Sequence, residues 1–394
     1  MKTNRILAGW LALLALATTL NAQPSILGAN WTMATNAAPW NGQQGPGIVA
    51  FNGEIWKFGG LGISSFGSDV WSSSNGVAWT CVTNAAPWQP RTEMGALTYN
   101  GQMWVLGGYV TGGYPDSCND VWSSPDGVNW TCVTHAAPWI PRHAFGAVVF
   151  NGQLWIMGGV SANQDDWTYN YNDVWSSPDG VNWTCVTNAA PWSARFGFQV
   201  AVFNNQIWVM GGNMWGTPLT NTEDVWSSPD GVNWICVTNA APWAPRMIFG
   251  SAVLNNRLWV FGGNGSSGEL NDVWSSPDGV NWICVTNAAA WIPRWEFGSV
   301  ALNNQLWVLG GQGSSGGLLN DVWYSPSAIS PLLSIASIGN QTALFWPAWA
   351  TNCVLESTTN LSNPNWLAVT NGEPIIGVTV TNTSPAQFFR LQQN

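Results

Sequence analysis

The chain has 394 residues, of which 46% are hydrophobic and only 8% charged, with a net charge of −10. That hydrophobic share belongs to chains that fold around a core and excludes a disordered one. Ten Lys and Arg in total are too few to build a phosphate-binding surface, so nucleic acid is not expected as a partner.

In chain order, Met1 to Arg5 carries two basic residues, Ile6 to Leu20 is apolar, and Asn21-Ala22-Gln23 supplies small residues for cleavage. This is the pattern of a secretory signal, so residues 1–22 are predicted to be removed and the protein to be secreted, periplasmic or on the cell surface. Gln23 follows the predicted cut where a lipoprotein would have Cys. No later stretch approaches the ~20 apolar residues of a membrane helix, so no span is expected in the mature chain.

From residue 23 to 326 one unit repeats. A Gly-Gly pair begins at Gly59, Gly107, Gly158, Gly211, Gly262 and Gly310, at intervals of 48 to 53 residues. Each unit opens near Pro-Arg and runs through an apolar stretch such as Phe145 to Phe150. It then turns at Asn-Gly or Asn-Asn and continues as Leu154-Trp155-Ile156-Met157-Gly158-Gly159. After a variable segment come Asn-Asp-Val-Trp, Ser-Pro-Asp-Gly and Asn-Trp-Thr-Cys-Val-Thr, which reads as four strands per unit. Asn151-Gly152 and Pro125-Asp126-Gly127 carry the turn chemistry for the two hairpins. Strands that are apolar on both faces need cover on both sides. Four-stranded sheets stacked around an axis provide it, which predicts an all-β, six-bladed β-propeller. The sixth unit ends at Asp321-Val322-Trp323-Tyr324 without its last strand, and the missing phrase stands first, as Asn30-Trp31-Thr32-Met33. The N-terminal strand is therefore expected to close the ring. Of the 31 tryptophans, 24 occupy four repeat positions, represented by Trp122, Trp130, Trp139 and Trp155, and are read as blade-to-blade filler. Cys81, Cys132, Cys185, Cys236 and Cys284 recur once per unit, too far apart for disulfides, and are expected as small buried hydrophobes. Cys118 is the thiol expected to be exposed.

The double Gly, the Pro-Arg opening, the Asp-Val-Trp strand and the later Trp resemble the kelch repeat over about residues 23–326. A Ser replaces the Tyr that kelch units carry before the third turn, as at Ser124. Ser-Pro-Asp-Gly-Val-Asn-Trp is similar to the Asp-box hairpin of sialidase-like propellers, one residue short. The resemblance implies a kelch-type propeller, and exported six-bladed members include sialic-acid mutarotases. The copper centre of galactose-oxidase-like members needs paired His and Tyr ligands, and the chain has only His135 and His143. No metal or cofactor is expected. Residues 327–394 lack the repeat and read as short strands of a small β-sandwich module, resembling C-terminal modules of secreted bacterial proteins.

The two ends of such a propeller differ in sequence. The Asn-Gly and Pro-Asp-Gly turns are nearly uniform, whereas the loops after Gly-Gly vary, and grafted function belongs on the variable end. The longest of these loops hold Tyr109, Tyr114, Asp116, Asp165, Asp166, Trp167, Tyr169, Tyr171 and Trp215. Aromatic planes beside carboxylates suit a sugar, so a glycan or protein ligand is expected, bound by a non-catalytic monomer. Arg91, Arg142, Arg195, Arg246 and Arg294 open five units, and Gln43 replaces Arg in the first. Six aspartates, from Asp69 to Asp321, begin the third strands, and Arg–Asp pairing is the expected structural role. The other reading makes the arginines, Arg142 and Arg195 among them, anion-binding contacts at the axial mouth. Glu93 and Glu296 follow the unit-opening Arg by two residues. They are the acid–base candidates for the alternative, a sugar-acting mutarotase or glycosidase with an axial pocket.

Overall fold

A computed structural model of the chain describes residues 27–110, 116–163, 166–214 and 220–326, together with six strands between Ser334 and Gln393. It divides into two units, one of them Leu27–Ser327 and the other including residues 328–394. The predicted signal, residues 1–22, lies outside the described residues.

Blade three shows how sequence becomes sheet. Gly146–Phe150, Gln153–Asn163, Asp166–Ser177 and Thr184–Thr187 pair antiparallel in that order, from the axis outward. Asn151 takes a φ of 48° at the first hairpin, where a short polar side chain tolerates the left-handed region. The second strand is covered on both faces, as its sequence requires: Leu154, Ile156 and Met157 are fully buried. The Gly158-Gly159 pair sits where the register shifts between the second and third strands, a bulge that re-aims the rest of the hairpin.

Five blades repeat this arrangement in sequence order, and the sixth borrows its outermost strand. Thr32–Thr35 pairs with the third strand of blade six, Thr32 opposite Tyr324 and Met33 opposite Trp323. The Asn320 side chain then donates to the carbonyls of Ala38 at 3.0 Å and Trp40 at 3.1 Å. Asn119 makes the same latch to Ala137 and Trp139 within the continuous chain. The innermost strands of successive blades touch in a cycle, blade one meeting both blade two and blade six. Closure therefore covers the blade faces that an open array would expose.

Tryptophan fills the wedges. The indole N–H of Trp155 donates to the Phe150 carbonyl, that of Trp130 to Gly127 and that of Trp122 to the Asp120 carboxylate. Trp139 and its counterparts Trp88, Trp192, Trp243 and Trp291 are 1% exposed and stand edge-on to, or tilted against, aromatic rings of the same wedge. Beside each lies a buried ion pair. Arg142 donates through Nη1 and Nη2 to the two oxygens of Asp173 at 2.6 and 2.8 Å, and through Nη1 to the Gly158 carbonyl at 2.9 Å. The same fork recurs at Arg91, Arg195, Arg246 and Arg294, all 0–1% exposed. The pairing expected from sequence is present in five blades.

The cysteines depart from expectation. Cys81, Cys185, Cys236 and Cys284 are exposed and Cys132 is half-buried, all as free thiols, as is the half-buried Cys118. The cause is strand phase. On the outermost strand alternate side chains face opposite ways, and it is the neighbouring Val133, Val186, Val237 and Val285 that pack against the core.

Beyond the propeller, Ser334–Ile338, Gln341–Phe345 and Gly377–Thr381 form one antiparallel sheet. Leu367–Ala368, Cys353–Thr358 and Phe388–Gln393 form another.

Candidate functional site

The site grows from the passage between blades. Two residues after each unit-opening position the chain enters the left-handed region: Gly45 (φ 60°), Glu93 (50°), Ala144 (50°), Gly197 (61°), Ile248 (48°) and Glu296 (51°). Each of these residues donates its backbone N–H to the carbonyl of its counterpart in the preceding blade. Glu93 bonds to Gly45, Ala144 to Glu93, Gly197 to Ala144, Ile248 to Gly197, Glu296 to Ile248, and Gly45 to Glu296, at 2.6–3.2 Å. The six bonds form a closed collar around the axis. Antiparallel order places it at the end that carries the variable loops.

Bonding within the collar uses backbone alone, so its side chains are free to differ. Gly45 stands between the two glutamates, and its lack of a side chain leaves room for both. A Cβ there would run into the Thr92 hydroxyl and lie 3.2 Å from Glu93 Cγ. Thr92 is itself fixed, donating to the carbonyls of Gln44 and Gly45 at 3.1 and 3.0 Å.

Across this gap Glu296 feels the charge of Glu93 and a hydrogen bond to its side chain. Two carboxylates cannot share such a bond without a proton. Burial, followed by the charge of Glu93 and the bond to it, pushes Glu296 well above the usual carboxylate range. Glu296 is 6% exposed and Glu93 carries the more open side chain. On its other side Glu93 Oε2 lies 3.7 Å from His143 Nε2, and His143 Nδ1 lies 2.9 Å from Ser117 Oγ. Burial lowers the imidazole's pKa against the opposing pull of Glu93 and Asp116, so His143 is neutral at pH 7. The Tyr109 ring sits 4.9 Å from that of His143 and 5.7 Å from that of Phe66. Burial, with the charges of Asp116 and Glu93, raises the Tyr109 phenol. One shared proton, a neutral imidazole, two hydroxyls and an aromatic face thus meet at the mouth of the axis. Such a set can hold and relay a proton or hydrogen-bond a polyol. Among the described residues no group of three or more His, Cys, Asp or Glu is placed to hold a metal ion.

Of the residues singled out in sequence, Tyr109, Asp116, Glu93 and Glu296 come together here. Asp116 accepts the Val110 N–H through its carbonyl at 2.9 Å. Tyr169 is 53% exposed on blade three, while Tyr171 lies under the Arg142 guanidinium at 4.5 Å and its hydroxyl meets Ser161 at 2.8 Å. Tyr114, Asp165 and Trp215 lie outside the described residues, as do the side chains of Asp166 and Trp167. Arg142 and Arg195 leave the set of candidate ligand contacts. They are 0% and 1% exposed, with their guanidinium groups committed to Asp173 and Asp224. A cation this deep stays only because it is paired. Sequence reasoning passed over Ser117 and His143. The available signal was position: His143 directly precedes the collar residue Ala144.

Six four-stranded blades around one axis, with varied side chains on a uniform collar, define Leu27–Ser327 as a six-bladed β-propeller. No family model and no curated protein matches the chain. Among solved structures it is similar to one described as the structure of YjhT, with a TM-score of 0.60 and 18% identity over 79% of this chain and 99% of that one. At that identity the likeness speaks for the fold.

Proposed function

We propose that this is an exported kelch-type propeller that binds a carbohydrate at the variable-loop end of its axis, without chemistry. One observation carries the reading: the polar and aromatic groups that are not tied into the repeated scaffold gather at that mouth, around Tyr109, Asp116, His143, Glu93 and Glu296. An aromatic face beside hydroxyl, imidazole and carboxyl groups suits a ring with a C–H face and several hydroxyls. The same proposal takes residues 1–22 as an export signal and residues 327–394 as a small β-sandwich module. A glycan array probed with the mature protein is expected to show binding that Tyr109→Ala weakens about tenfold or more, some 1.4 kcal/mol. Unchanged binding by Tyr109→Ala would reject the site.

The contact between Glu93 and Glu296 favours a second reading, proton transfer on a sugar. A shared proton suits exchange between an anomeric hydroxyl and a ring oxygen, as a mutarotase requires. NMR of freshly dissolved sugars discriminates the two readings: catalysed anomer exchange that is lost in Glu93→Gln supports the enzyme, and exchange at the uncatalysed rate supports the binder.

A further inference from the structure

Blade one breaks the repeat at its ion pair. In the other five blades the aspartate is saturated: Oδ1 accepts Arg Nη1 at 2.6–2.7 Å, and Oδ2 accepts both Arg Nη2 and a tryptophan N–H. In blade one Gln43 stands in the arginine's place, and the cation comes from the second strand instead. Lys57 occupies the position of Val105, Ile156, Val209, Val260 and Val308, and it donates to Asp69 Oδ2 at 3.2 Å and to the Gly59 carbonyl at 2.8 Å. Trp71 donates to the same Oδ2 at 2.6 Å. Asp69 Oδ1 and Gln43 Oε1 are left buried with no hydrogen-bond donor. Gln43 is 8% exposed. Both residues line a cavity of about 350 Å³, walled also by Trp40, Phe66, Trp71 and Asn84. That size falls within the roughly 300–1,000 Å³ of small-molecule sites.

We infer that blade one holds a saccharide site, separate from the axial one, in which two sugar hydroxyls donate to Asp69 Oδ1 and Gln43 Oε1 while the sugar's C–H face lies on Trp71. Two orphaned acceptors demand donors, because a buried polar atom without a partner is costly. The donors are uncharged because Lys57 already supplies the positive charge that arginine supplies elsewhere, and a second cation would stand unbalanced. Neither oxygen is open to water, so the ligand reaches them by turning the Gln43 amide. That amide lies against Gly60 and Gly67, which have no side chains to hinder it.

The test restores the repeat. Gln43→Arg with Lys57→Val gives blade one the pair found in the other five and fills the cavity. Wild type and this double variant are titrated calorimetrically with a panel of methyl glycosides and with L-arginine. The site predicts that the double variant keeps a Tm no lower than wild type and binds one glycoside fewer per chain, while any glycoside held at the axis is still bound. Equal glycoside stoichiometry and affinity in the two proteins overturn the site, as does a wild type that binds no member of the panel. L-Arginine binding without glycoside binding overturns the uncharged class.

Discussion

The outer hairpins and the axial collar are both repeated around the ring, yet they repeat in opposite ways. In Ser124–Trp130 the Ser124 hydroxyl accepts the N–H groups of Asp126 and Gly127, and Asp126 Oδ1 accepts those of Val128 and Asn129. The Trp130 indole then donates to Gly127. The Ser, Asp, Asn and Trp side chains are all used, so the phrase returns almost unchanged at Ser177, Ser228 and Ser276. The collar has the same backbone six times and the residues Gly, Glu, Ala, Gly, Ile and Glu. Its bonds consume only N–H and C=O, so the bonding pattern does not dictate the side chains. Repeated sequence therefore marks the frame, and repeated backbone with unlike side chains marks the place where a site can be grafted.

The sharpest way to break this contrast is to damage the frame. Asp173→Ala leaves the Arg142 guanidinium buried and unpaired, and should cost about 3–5 kcal/mol, read as a lowered denaturant midpoint. A loss below about 1 kcal/mol would mean that the ion-pair layer is not structural. Gly45→Ala addresses the collar itself. Ala144 shows that the backbone accepts a methyl group there, so the penalty at Gly45 comes from the Thr92 hydroxyl and the crowding of Glu93. A smaller loss of about 1–3 kcal/mol is expected, partly recovered by adding Thr92→Ala, with ligand binding at the axis reduced more than stability.

The blades, their strand order and the closing N-terminal strand were all legible in sequence, because turn chemistry and apolar runs are local and recur six times. The Arg–Asp layer was legible for the same reason. The exposed cysteines were not, since the phase of a four-residue outer strand depends on which neighbour claims the core, and Val133 does. Lys57 was hidden inside an apolar strand, where only the missing Arg at position 43 hints at its partner. Glu93 and Glu296 were recognisable by their place after the unit-opening Arg. That they touch follows from ring closure, which sets blade six beside blade one with a glycine between the carboxyls.

The shared proton is the most direct test of the collar as a site. Glu296 has its pKa raised by folding, so the folded state holds a proton that the unfolded chain releases. Its contribution to stability is complete below the ordinary glutamate pKa and is lost as pH rises through the folded value. Infrared spectra recorded as a function of pH should show a protonated carboxyl persisting above the range of the exposed acids, absent in Glu296→Gln. If every carboxyl titrates in the ordinary range, and Glu296→Gln changes nothing, the two glutamates do not share a proton and the account of the axial site fails.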